Sequence, residues 1–140
     1  MELLNKIQRE LKAPKNQENT FGKYKYRSCE DIVEAVKPLL GKTGTLVISD
    51  EMLCVGSRFY VKATATLRDG TGKVSASAYA READEQKGMS PSQLTGSTSS
   101  YARKYALNGL FAIDDTKDAD ATNTHGQVAQ KEPTYVNKGL

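Results

Sequence analysis

The sequence predicts an α+β fold: an antiparallel three-stranded sheet that includes a hairpin, packed on a long C-terminal helix and preceded by two short helices. Three observations predict it. Apolar residues recur at helical spacing in two stretches before Gly41. From Thr45 the apolar period switches to that of a strand, with DGTG bracketed by two alternating segments. A helical stretch, MSPSQLTGSTSSYARKYALNGLF, then closes the patterned part of the chain at residues 89–111.

Leu3, Leu4, Ile7 and Leu11 define an amphipathic helix over residues 2–12, which Ala13-Pro14 ends. KNQENTFGKYKYR follows as a polar segment whose end alternates Lys and Tyr. Ser28 is positioned to cap the second helix, with Glu30 and Asp31 in its first turn, where carboxylates favour the helix dipole. Ile32, Val33, Val36, Leu39 and Leu40 form its apolar stripe; Pro38 kinks the last turn and Gly41 closes it. LVIS and MLCV read as two short strands, and RFYVKATATLR and KVSASAYAR as the arms of the hairpin. Ser90 caps the final helix with Pro91 at its first position. Beyond Ile113 periodicity stops, so residues 1–113 read as one domain and 114–140 as a flexible polar tail.

With 140 residues, 38% hydrophobic and 26% charged, the chain has the composition of one soluble domain. The segment MELLNKIQRELK is charged throughout, unlike a secretory signal, and no apolar run reaches membrane-spanning length. Cys29 and Cys54 lack metal-ligand spacing, and the single histidine, His125, lies in the tail, which argues against zinc and against a Cys–His or Ser–His nucleophile. GKT at residues 41–43 lacks the earlier glycine of a phosphate-binding loop, since Val36 stands there. DDTKDAD fails the calcium-loop register at Lys117 and Ala119. No metal site or cofactor is expected.

Residues 1–113 carry 17 Lys and Arg against 12 Asp and Glu, a basic surplus suited to a polyanion. Pairing Leu67 with Val74 across DGTG sets Lys62 opposite Tyr79 and Tyr60 opposite Arg81. The polar face of the hairpin then interleaves cations with tyrosines and holds no acid between Asp69 and Glu82 at its ends. An ordinary solvated sheet face has much the same residues; the missing carboxylates favour a surface for single-stranded nucleic acid. Its apolar face, rich in Ala63, Ala65, Ala76, Ala78 and Ala80, invites close approach by the small residues Gly96, Ser97, Ser99, Ala102 and Ala106 of the helix. Leu94, Tyr101, Tyr105, Leu110 and Phe111 are expected to fill the remaining core. Arg103 and Lys104, with no acid between Lys87 and Asp114, are expected to be unneutralised and to face the hairpin across one groove.

FGKYKYRSCEDIVEAVKPLL, RFYVKATATLRDGTG and MSPSQLTGSTSSYARKYALNGLFAIDDTKDAD resemble the Erf (essential recombination function) family of phage single-strand annealing proteins, in order and spacing, over about residues 1–120. More distantly, FYV, the DG turn and YARKYALNGL are similar to the annealing core of the eukaryotic recombination mediator. The resemblance implies a β-β-β-α annealing core, rings or arcs of subunits, and single-stranded DNA in a basic groove with its bases outward. It implies phosphate contacts from Arg103 and Lys104, with Arg58, Lys62 and Arg81 on the hairpin wall and Lys25, Tyr26 and Arg27 in the preceding loop. It implies annealing without ATP, cofactor or enzymatic turnover, in the host bacterial cytoplasm. Host single-strand-binding protein or a phage exonuclease are further candidate partners. Family members often extend further beyond the core than the short polar stretch after Ile113. The alternative is a passive single-stranded nucleic-acid-binding module without annealing activity.

Overall fold

The computed structural model describes residues 1–114; from residue 115 onward the expected tail lies outside the described residues. The first helix, α1 (Glu2–Glu10), stops short of the expected residue 12 because Leu11 turns extended at ψ 127°. Its Ile7 is fully buried, with Leu3, Leu4 and Leu11 packed beside it.

The polar segment KNQENTFGKYKYR is more structured than its composition suggests. It forms a two-stranded antiparallel ribbon, β1 (Gln17–Asn19) and β2 (Tyr24–Tyr26), in which Gln17 pairs with Tyr26. The alternating Lys and Tyr residues are therefore a strand signal, and Asn19 organises the turn by accepting from the Gly22 amide at 2.8 Å.

Ser28 caps α2 (Cys29–Val36) through a reciprocal box: its Oγ accepts from Asp31 N, and its own amide donates to Asp31 Oδ2 at 2.8 Å. Burial works against the Asp31 carboxylate, yet hydrogen bonds from the Ser28 amide and the Gln17 side chain outweigh it and hold its pKa below the usual value. Such a cap contributes about 1 kcal/mol. Pro38 lies within a 3-10 turn, Lys37–Leu39, and Gly41 leaves it at φ 71°, so the kink and stop fall where the sequence puts them.

LVIS and MLCV are not separate strands. Ser49, Asp50 and Glu51 pair with Thr64, Ala63 and Lys62, making one continuous strand β3 (Thr45–Val55). It joins β4 (Arg58–Asp69) and β5 (Gly72–Arg81) in the antiparallel order β3-β4-β5. The hairpin register is the expected one: Leu67 pairs with Val74, Lys62 with Tyr79 and Tyr60 with Arg81. At its turn Asp69 Oδ1 accepts from Thr71 N at 2.8 Å and Thr71 Oγ1 at 2.7 Å, and these bonds lower the Asp69 pKa.

Val61, Ala63, Ala65 and Leu67 point into the core against α3 (Pro91–Phe111), whose Ser90 cap and Gln93 form a second capping box. Buried on α3 are Thr98, Ala102, Ala106, Leu107, Leu110 and Phe111. The small-residue contact is real but narrower than expected. It involves Ala102, Ala106 and Gly109, where a Cβ would stand 4.0 Å from that of Ala76. Gly96 faces open space and makes no close contact. Gly96→Ala is therefore expected to raise stability by up to about 1 kcal/mol, read as a higher urea midpoint, because the exposed helix interior loses only glycine's entropy penalty.

Tyr101 and Tyr105 do not enter the core: they are 56% and 47% exposed. Thr98, Ala102, Ala106 and Leu110, four residues apart, take the buried stripe and turn the two rings outward. Among the described residues no helix is long and apolar enough to cross a membrane.

Candidate nucleic-acid interface

The outer surface of α3 carries two hollows that share Ser97 and Tyr101. The first, about 200 Å³, lies between α3 and the chain joining β2 to α2. Tyr26, Arg27 and Ser28 border it on one side, and Ser100 and Lys104 on the other. Lys104 Nζ stands 5.5 Å from the centre of the Tyr26 ring, a cation–π contact that positions both groups. Arg27 donates from Nε to the Ala13 carbonyl at 2.8 Å, tying this wall to the segment after α1. Lys25 alternates with Tyr24 and Tyr26 on β2 and sits on the exposed side of the ribbon.

The second hollow, about 450 Å³, opens between α3 and the end of β5. Tyr79, Arg81 and Gln86 form one side; Leu94, Tyr101 and Tyr105 form the other. Tyr101 and Tyr105 are one helical turn apart, with ring centres at 6.3 Å and planes at 30°. Strand parity assigns Tyr79 and Arg81 to the sheet face away from α3. They border this hollow because β5 is an edge strand and the chain turns toward α3 directly after it. Thr95 Oγ1 holds that turn by donating to Glu82 Oε2 at 2.7 Å. Tyr79 is 53% exposed, and Lys62 Nζ lies 5.8 Å from its ring centre.

The sequence-predicted residues therefore divide. Tyr26, Arg27 and Lys104 come together in the first hollow, and Arg81 borders the second with Tyr79, whose ring Lys62 covers. Arg58 pairs with Val55 two residues before Tyr60, at the same end of the outer sheet face, away from α3. The expected slot between hairpin and helix is instead a surface that passes over α3 and around the edge of β5.

Arg103 departs from expectation. Its Nε lies 3.1 Å from Asp50 Oδ1 and 3.3 Å from Oδ2, and Ser99 Oγ donates to the same carboxylate. The guanidinium is neutralised by an acid from β3, and it turns toward that strand. Glu51, the next residue, pairs with Lys62 and puts one carboxylate beside the otherwise acid-free hairpin face. Both acids form the two-residue gap between LVIS and MLCV, which the register of β3 carries the strand through.

Cys29, half-buried near this pair, has its thiol pKa raised first by burial and then by Glu30, with Arg103 opposing. A thiol held protonated is a poor nucleophile. Among the described residues no three His, Cys, Asp or Glu side chains cluster to hold a metal ion. What the surface offers is exposed rings alternating with cations, the chemistry of base stacking and phosphate contact. Tyr101 and Tyr105, expected in the core, lie at its centre. The available signal was the four-residue repeat of Thr98, Ala102, Ala106 and Leu110, which leaves no room for them in the core.

Comparison with known proteins places this geometry in a family. The model of the ERF superfamily matches residues 1–139. The "Essential recombination function protein" of Salmonella phage P22 is 62% identical over 135 residues, covering 96% of this chain. The chain spans 65% of that protein's length. No solved structure matches the chain. With the family model running over nearly its full length, the chain belongs to the ERF superfamily.

Proposed function

We propose that this protein binds single-stranded DNA over α3 and the edge of β5 and promotes annealing of complementary strands in phage homologous recombination. The observation that carries the reading is the run of exposed Tyr101, Tyr105 and Tyr79 with the half-buried Tyr26, interleaved with Lys104, Lys62 and Arg81. The family, and the name of the phage P22 relative, support the recombination role.

Rings stack on bases of any identity, and cations follow the backbone, so binding is tolerant of sequence and sensitive to salt. Each subunit presents only a short site. Self-association into a ring or arc aligns many such sites, so weak contacts sum to avidity. Two extended strands held with their pairing edges accessible meet in register more often, and duplex stability supplies the driving force without ATP. Within this reading Lys104 contacts phosphate, whereas Arg103 mainly positions α3 against β3 through Asp50.

The test is fluorescence annealing of complementary oligonucleotides, with and without magnesium, followed by a check of strand length. Acceleration in the absence of ATP and metal, with intact strands, is the expected result. Binding without acceleration would reduce the protein to a passive single-strand-binding module. Shortened strands in magnesium would make it a nuclease, and no binding at low salt would overturn the reading. On the same oligonucleotides Lys104→Ala is expected to weaken binding more than Arg103→Ala.

A further inference from the structure

The β1–β2 ribbon pairs with no strand of the main sheet. A free two-stranded ribbon is marginal in water, yet this one is braced at both ends. At its base Gln17 Nε2 lies 3.4 Å from Asp31 Oδ2, and the Lys104 cation covers the Tyr26 ring. At its tip the Asn19 carbonyl accepts from Lys23 N at 2.6 Å, and Asn19 Nδ2 donates to the Tyr24 hydroxyl at 3.1 Å. Gly22 completes the turn by having no side chain: a Cβ there would stand 2.5 Å from the Tyr24 ring. The result is an ordered tip on which Phe21 is 99% exposed.

A phenylalanine this exposed forgoes all the free energy of burial, and the well-anchored turn around it keeps it outside. Its surroundings are basic. Residues 15–27 contain Lys15, Lys23, Lys25 and Arg27 against the single acid Glu18. A second copy of this chain would meet the tip with a body that is itself basic over residues 1–113, a mismatch in charge. A polyanion with flat apolar faces matches both features.

We propose that Phe21 is a stacking wedge for single-stranded nucleic acid. Lys23 and Lys25 draw the backbone to the ribbon, and the Phe21 ring enters between neighbouring bases as the strand leaves the hollow at Tyr26 and Lys104. This role rests on the single-strand binding proposed above. It adds a contact point at the tip of the ribbon, beyond the hollow that Tyr26 borders at its base.

The chain contains no tryptophan, so Phe21→Trp places one reporter at the tip. The full chain carrying it is titrated with oligothymidylate at low salt, alongside wild type and Phe21→Ala, with affinity read from the anisotropy of labelled oligonucleotide. Expected are wild-type affinity and quenched tryptophan emission for Phe21→Trp. For Phe21→Ala the expected result is a loss of affinity of about 5- to 150-fold, the worth of one stacked base, with an unchanged salt slope. Saturable binding without quenching, with Phe21→Ala as tight as wild type, overturns the wedge and leaves the binding surface standing. A blue shift that grows with protein concentration before any oligonucleotide is added assigns the tip to a contact between copies, and overturns it also. Failure of wild type to bind removes the proposed function and the wedge together.

Discussion

Tyr101→Ala is expected to weaken single-strand binding by roughly 1–3 kcal/mol, the worth of one base stacked on an aromatic ring. The ring is shared by both hollows and is more than half exposed, so its removal costs little core packing. Adding Lys104→Ala should remove one phosphate contact and flatten the dependence of log affinity on log salt by about 0.7. The loss in the double variant should therefore shrink as salt rises, while the Tyr101 part persists. Equilibrium binding at several salt concentrations separates the two contributions. Circular dichroism should show both variants folded. Undiminished affinity at moderate salt would remove α3 from the interface.

Phe111→Ala is expected to lower stability by about 3–5 kcal/mol, the usual cost of truncating a buried aromatic side chain. Phe111 is 1% exposed and belongs to the core that joins α3 to Ile7 of α1. A domain of this size is commonly stable by about 5–15 kcal/mol, so the variant would sit near the edge of folding. A fall in melting temperature on the order of 15 °C is expected. Phe111→Leu should recover much of it by filling most of the space. A drop under 1 kcal/mol for alanine would show that the site collapses freely, contrary to its close packing.

Much of the fold could be read from local chemistry. The register of β4 on β5 follows from DGTG and side-chain parity, because a one-residue slip would turn Ala63, Ala65 and Leu67 to water. Ser28 and Ser90 announce their helices because capping needs only neighbours a few residues away. The ion pair of Arg103 with Asp50 was not legible for the opposite reason: its partners are 53 residues apart and meet only once β3 and α3 share the sheet. The size of Tyr101 and Tyr105 suggests the core, but the four-residue rhythm beside them excludes it. The ribbon at residues 17–26 was hidden by polarity, since its stability comes from a turn and two anchoring contacts instead of an apolar face. Parity also names the sheet face of Arg58, Lys62, Tyr79 and Arg81. What it does not show is that this face lies away from α3, so that only the edge of β5 brings Tyr79 and Arg81 beside the helix.

The junction of α1 with the end of α3 bears on how the chain acquires its shape during synthesis. Gln8 Nε2 donates to the Leu110 carbonyl at 2.8 Å, a contact spanning 102 residues. The part of the cover over α1 that α3 supplies is therefore missing until α3 has emerged from the ribosome. At about 5–20 residues per second that wait lasts on the order of 5–20 s. The meander β3-β4-β5 needs no such delay, because each strand pairs with the next one made. The apolar side chains of α1 thus share their wait for α3 with the inner face of the sheet, Val61, Ala63, Ala65 and Leu67.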